Sequence, residues 1–301
     1  MTLPASIAGV LPVAQLPYHD DDSIDFATLQ QEIEWLFAQG VDGITLAMVT
    51  EFLRLTDAER ELVIRRTVEF TKGRGPVIAS VGDESLVQVI QHARAAEQAG
   101  AAAVMALPPA LTNCGPPELL RYYETLLETV ACPVIVQDAS GYVGTGIPVA
   151  VQAELFHRHP GRVLFKPEAR PFGPTITALR EATGGRASVF EGTGGLALLD
   201  SYPRGICGVM PGADLPWALV ALWRALQAGD DARARAIHEP LVSLISLLPN
   251  LDGFLAVEKF LLHHQGIFRN TRVRGPVGYH LDVTTAQEIL RLVARLQSAC
   301  A

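Results

Sequence analysis

The chain has 301 residues, 49% of them hydrophobic, and a formal net charge of −8 with a pI near 5.5. That length suits one large α/β domain with ample core, and an acidic balance without a basic run argues against nucleic acid or an anionic membrane as partner. A small molecule is the expected partner.

Met1 to Tyr18 lack a basic n-region and are broken by Pro4, Pro12 and Pro17. No segment reads as long and apolar enough to span a bilayer, so a cytoplasmic location is expected. Cys114, Cys132, Cys207 and Cys300 are too scattered for a disulfide framework or a zinc site and read as free thiols. No metal or cofactor is implied.

Along the chain, short apolar runs at residues 9–13, 43–48, 77–81, 103–107, 134–137, 163–166, 188–191 and 206–210 read as strands. Between and after them lie helical patterns at 26–38, 57–71, 85–99, 117–130, 148–158, 174–182, 195–202 and 216–228. Gly40 and Gly100 stand where helices stop, and Pro148 and Pro216 where first-turn prolines are tolerated. The strands are nearly continuous apolar runs, as in a parallel sheet buried on both faces. Eight such units predict an α/β fold of the TIM, or (β/α)8, barrel type over residues 1–229. A doubly wound sheet is the weaker choice, since no Gly-x-Gly-x-x-Gly follows the first strand. Beyond residue 229 the pattern is helical only, at 231–248, 251–265 and 284–299, so residues 230–301 read as a C-terminal helical extension covering a flank or making a subunit contact. His263 and His264 lie there without carboxylates at ligand spacing and read as solvated or structural.

The chain has 21 arginines but three lysines, Lys72, Lys166 and Lys259, and Lys166 closes the apolar run Val163-Leu164-Phe165. Desolvation disfavours an ammonium ion, so a lysine placed there has some free amine with which to attack a carbonyl. In a barrel the chemistry sits at the C-terminal strand ends. Those ends carry Met48, Val49, Thr50 and Glu51 after strand two, Gln137 and Asp138 after strand five, Lys166 and Glu168 after strand six, Glu191 and Thr193 after strand seven, and Met210 after strand eight. For Glu51, Asp138 and Glu168 the alternative is helix capping or pairing with Arg54, Arg170 or Arg180.

The segments Gly9-Val10-Leu11-Pro12, Gly43-Ile44 leading to Glu51-Phe52, Leu55-Thr56-Asp57-Ala58-Glu59-Arg60, Pro76-Val77-Ile78-Ala79 and Pro108-Pro109 continue through Pro133-Val134-Ile135-Val136, Thr145-Gly146 and Lys166 with Glu168-Ala169. In order and spacing they resemble the dihydrodipicolinate synthase and N-acetylneuraminate lyase superfamily. The resemblance implies that Lys166 is a Schiff-base lysine. A 2-oxo acid, pyruvate or a longer relative, would condense with it, and the iminium would draw electrons from the adjacent carbon. It also implies a homotetramer built as a dimer of dimers.

The departures bear on the reaction. Ala47-Met48-Val49-Thr50-Glu51 stands where the family has Gly-Thr-Thr-Gly-Glu, so Met48 and Val49 replace two hydroxyls. Thr50 and backbone N–H groups are left to hold the 2-oxo acid carboxylate. Gln137 aligns with the family's catalytic tyrosine, and an amide cannot act as a general acid or base. Tyr142 stands where dihydrodipicolinate synthase has its carboxylate-binding basic residue, and Ala110 or Leu111 where a tyrosine follows the Pro-Pro pair. A lyase or aldolase is expected that uses Lys166 on a 2-oxo acid and is not dihydrodipicolinate synthase. Proton transfer falls to Tyr142, Glu168 or water, and Gln137, Asp138, Glu168 or Thr193 read the substrate's polar tail. The alternative is a barrel that kept the lysine but lost turnover and binds a carbonyl metabolite as a sensor.

Overall fold

The computed structural model describes residues 7–301; Met1 to Ser6, which open the stretch read for a leader, lie outside the described residues. Its strands are β1 (Gly9–Val10), β2 (Ile44–Leu46), β3 (Val77–Ser80), β4 (Ala103–Ala106), β5 (Val134–Asp138), β6 (Val163–Pro167), β7 (Phe190–Glu191) and β8 (Gly208–Val209). All pairings between them are parallel, in the orders β1-β8-β7 and β2-β3-β4-β5-β6. Bridges Val13–Thr45 and Phe165–Val189 join the two runs and close the cylinder. Alternate residues face opposite ways along each strand. Ile78, Ala103, Met105, Ile135 and Phe190 therefore fill the interior, while Val77, Ala79, Val104, Val134 and Val136 meet the helices outside. Burial on both faces explains the unbroken apolar runs.

The helices are α1 (Phe26–Ala38), α2 (Asp57–Thr71), α3 (Leu86–Ala99), α4 (Pro116–Thr129), α5 (Val149–Arg158), α6 (Phe172–Ala182), α7 (Leu198–Ser201), α8 (Pro216–Ala228), α9 (Asp231–Ile245), α10 (Leu251–His264) and α11 (Val283–Cys300). Their starts are set by side chains that satisfy otherwise unpaired N–H groups. Asp25 accepts from Thr28 N at 3.0 Å, Asn250 from Gly253 N at 3.0 Å, and Thr56 and Glu59 form a reciprocal capping box on α2.

Two expected helices begin more than one residue from the expected start. Helix α6 starts at Phe172, two residues before Pro174, because a proline is tolerated throughout a first turn whose N–H groups have no partner. Helix α7 is one turn rather than residues 195–202, since Gly194 and Gly195 have φ of 71° and 96° and a 3-10 turn takes over at Tyr202. Helices α8, α9 and α11 pack on one another, and α10 lies against the turn that follows β2.

Candidate active site

Strands β5 and β6 set Gln137 opposite Lys166. Lys166 is 3% exposed, and its Nζ donates to Glu168 Oε1 at 3.1 Å. Gln137 Nε2 donates to the other oxygen, Oε2, at 2.7 Å. Both oxygens of the Glu168 carboxyl are thus engaged, one by the Lys166 amine and one by the Gln137 amide. Gln137 Oε1 is buried with no hydrogen-bond partner among the described residues, and Lys166, Glu168 and Gln137 line a cavity of about 50 Å³. Gly192 permits this closeness, because a Cβ there would lie 2.6 Å from Lys166 Cε and 2.7 Å from Glu168 Cγ.

After β2 the chain turns through a 3-10 turn, Met48–Thr50. Met48 and Val49 line the cavity, as expected, and Met210 closes it from the end of β8. Thr50 does not. Its hydroxyl accepts from Ala47 N at 3.0 Å and donates to Ala14 O at 2.8 Å, so both roles are taken by backbone and the side chain locks the turn instead of facing the cavity. Glu51 follows in the left-handed region at φ 61°, with its carboxylate fully buried against Lys259 Nζ and accepting from Arg274 N at 3.0 Å. The Arg54 pairing considered from sequence is also present, at 3.6 Å.

Asp138 and Glu191 organise loops rather than line the cavity. Asp138 accepts from Ser140 N at 3.1 Å and Ile147 N at 2.9 Å, holding the loop that carries Tyr142. Glu191 accepts from Thr193 N at 3.0 Å and Gly195 N at 3.2 Å; burial pushes its carboxyl up to about 7 against those bonds. Thr193, whose hydroxyl also bonds Glu191, lines an outer recess of about 410 Å³. Tyr142 stands between the two spaces with its ring edge-on to Phe254 at 6.1 Å between centroids. Burial, then the charges of Glu168 and Glu191, raise its phenol pKa and keep it protonated.

Sequence reasoning missed what α10 contributes. Leu251, Phe254 and Glu258 are spaced three and four residues apart, hence on one helix face, and all three line the cavity. Glu258 is 3% exposed and accepts from the Gln15 side-chain amide. Lys259, wholly buried, pairs with Glu51, donates to Arg272 O at 2.7 Å and lies 4.5 Å from the Tyr18 ring centre. A signal was available: in Leu255-Ala256-Val257-Glu258-Lys259-Phe260-Leu261-Leu262 the two charges are flanked by apolar residues all round the helix, the pattern of a buried one.

The family model described as the dihydrodipicolinate synthetase family matches residues 6–295. The chain belongs to this family. It is 28% identical over 295 residues to the L-2-keto-3-deoxyarabonate dehydratase of Azospirillum brasilense, covering 96% of this chain and 94% of that one. To the 4-hydroxy-tetrahydrodipicolinate synthase of Methanoculleus marisnigri it is 30% identical over 242 residues, covering 79% and 82%. The crystal structure of dihydrodipicolinate synthase from Rhodopseudomonas palustris superposes with a TM-score of 0.88 at 27% identity, over 96% of this chain and 97% of that one. A family member from E. coli K12, solved in complex with pyruvate, has a TM-score of 0.88 at 22% identity over 97% and 99%, a likeness of fold. The fold is therefore the (β/α)8 barrel of the dihydrodipicolinate synthetase family.

Proposed function

We propose that this family member is a lyase acting on 2-oxo acids through an imine on Lys166, of the dehydratase kind rather than a dihydrodipicolinate synthase. The observation that carries the reading is the buried pair of Lys166 Nζ and Glu168 Oε1, 3.1 Å apart on a cavity wall. Proton transfer from the ammonium to Glu168 frees the amine for attack on the ketone carbon; Glu168 then returns that proton to the carbinolamine hydroxyl, which leaves as water to give the iminium and a free carboxylate. The iminium acidifies C3, and Glu168, now beside the bound carbon chain, is the base for that proton. Gln137 orients groups through its amide and moves no proton. With Thr50 engaged by backbone, the N–H groups of Met48 and Val49 that open the 3-10 turn are the donors for the 2-oxo carboxylate.

The absence of a phenol at position 137 and of a basic residue at position 142 speaks against the synthase reaction, and the relative from Azospirillum brasilense, a dehydratase by name, supports loss of water as the outcome. We also propose that the enzyme works in the cytoplasm. No helix among the described residues is long and apolar enough to cross a membrane.

The test is borohydride reduction after incubation with pyruvate, followed by peptide mass spectrometry. An adduct on the Lys166 peptide, absent in Lys166→Ala, is expected; an adduct on Lys72 or Lys259 would overturn the assignment. Turnover of a panel of 2-oxo acids then separates an enzyme from a sensor, because a sensor would form the imine and release its ligand unchanged.

A further inference from the structure

Glu168 and Glu258 both line the same small cavity, and their surroundings are opposite in kind. Glu168 receives Lys166 Nζ and the Gln137 amide. Among the described residues, no Lys or Arg forms an ion pair with the Glu258 carboxyl. Its Oε2 receives the Gln15 amide, and its Oε1 lies beside Gly212, where an added Cβ would meet it at 2.5 Å. Among the described residues, the titratable groups around it are Asp214 from the loop after β8, Glu32 from α1 and Tyr142 across the cavity mouth. The neighbouring Lys259 directs its ammonium to Glu51 and Arg272 O instead. Buried carboxyls gathered this closely resist ionising together, since each charge would be desolvated and repelled by the next, and only Glu32 among the three feels the Lys259 ammonium. Burial, with the charge of Asp214 adding to it, raises Glu258 well above the usual carboxylate range, and Asp214 itself is pushed up to about 6. Glu168, hydrogen-bonded to the Lys166 amine, is placed to take a proton, and Glu258, on the same cavity and paired with no Lys or Arg among the described residues, to give one.

We propose that Glu258 is a catalytic acid, protonating the hydroxyl that leaves C4 of a 2-oxo-3-deoxy acid held as an imine on Lys166. The inference rests on the Schiff-base reading above. Glu168 takes a proton from C3, and the C3–H electron pair forms the enamine. The enamine then pushes out the C4 oxygen; the C3–C4 double bond forms, the C4–O bond breaks, and the proton of Glu258 leaves with the oxygen as water. Hydrolysis of the conjugated iminium returns the Lys166 amine and the water consumed equals that lost on imine formation. The proton on Glu168 passes to solvent and one from solvent restores Glu258, so the net change is substrate to unsaturated 2-oxo acid plus water.

The full-length protein is tested as Glu258→Gln and Glu258→Asp in three assays. Borohydride trapping of pyruvate requires Lys166, and exchange of pyruvate methyl protons with D₂O requires Lys166 and Glu168; neither breaks a C4–O bond. Dehydration of 2-oxo-3-deoxy acids, with L-2-keto-3-deoxyarabonate included, requires all three groups. In Glu258→Gln, trapping and exchange are expected within about threefold of the parent and dehydration lowered ~10²- to 10⁴-fold, the span for losing a general acid. Glu258→Asp should recover part of it. A 4-fluoro analogue, whose leaving group needs no proton, should be turned over by Glu258→Gln nearly as fast as by the parent. Dehydration at parental rate in Glu258→Gln, or joint loss of trapping, exchange and dehydration, would overturn the proposal. A parent protein that traps pyruvate yet dehydrates none of these acids would overturn it too, while one that traps nothing removes the Schiff-base reading itself.

Discussion

Gly192 has no side chain because the space is occupied by Lys166 Cε and Glu168 Cγ. Gly192→Ala should push the pair apart, with an overpacking cost of about 1 to 3 kcal/mol and slower borohydride trapping; unchanged trapping would show that the pair can shift freely. Glu168→Gln keeps the shape but removes the proposed base, so pyruvate proton exchange in D₂O is expected to drop ~10²- to 10⁴-fold while some imine still forms. Thr50 belongs to another kind of prediction. Its hydroxyl satisfies Ala47 N and Ala14 O in a fully buried place, so Thr50→Val should lower unfolding free energy by about 1 to 3 kcal/mol. Calorimetry with a 2-oxo acid on a Lys166→Ala background should then find affinity little changed, against the carboxylate-binding role its position in the sequence suggested. The place of Lys166 on the cavity wall was legible because it ends an apolar run at the C-terminal end of a strand. The hydroxyl of Thr50 was not, because which atoms a 3-10 turn takes for itself depends on Ala14, 36 positions earlier in the chain.

At the level of elements, α1, the segment after β1 and α10 meet through Glu32, Gln15 and Glu258: Gln15 N donates to Glu32 at 2.8 Å and its side-chain amide to Glu258. Burial pushes Glu32 up to about 8 and Asp214 up to about 6. The native state therefore holds protons that the unfolded chain has already released above about pH 4.5, and stability should fall as pH rises from about 5 to 8, by about 1.4 kcal/mol per pH unit for each extra proton held. Urea unfolding across that range checks it, with Glu32→Gln flattening the slope; stability rising with pH would contradict the account. Glu59, lowered to about 2 chiefly by its hydrogen bond from Arg274, acts in a separate window, its contribution being lost as pH falls below about 4.5. The strands and most helix starts could be read from the chain because each is encoded locally, by an apolar run, a capping side chain or a first-turn proline. Helix α10 was also found, but not its place. An isolated helical pattern says which residues share a face; it does not say that the face bearing Leu251, Phe254 and Glu258 closes a cavity formed by strands elsewhere in the chain.

The molecule as a whole is bound together across its catalytic end by charges far apart in sequence. Arg274 grips both oxygens of Glu59 at 2.9 Å, and Lys259 and Glu51 form a wholly buried pair. Removing one member of such a pair strands the other, so Lys259→Met should cost about 3 to 5 kcal/mol in unfolding free energy, and Lys259→Met with Glu51→Gln less than the single change. Leu53 and Leu111, 67% and 90% exposed, project from the loops after β2 and β4, and Glu84 holds the second loop rigid through Leu111 N at 2.7 Å. Apolar side chains on fixed loops suit burial between copies. Light scattering is expected to give four times the 32.4 kDa of one chain, and Leu111→Asp a smaller particle; a monomeric parent would exclude the tetramer. The Glu51–Lys259 pair spans 208 positions, and that of Glu51 with Arg274 spans 223. During synthesis, then, every barrel strand has left the ribosome before Lys259 and Arg274, the partners of Glu51 after β2, emerge. A nascent chain carries Lys166 in a half-built pocket until its last quarter arrives, and a product truncated before Lys259 lacks the partner against which Glu51 is buried.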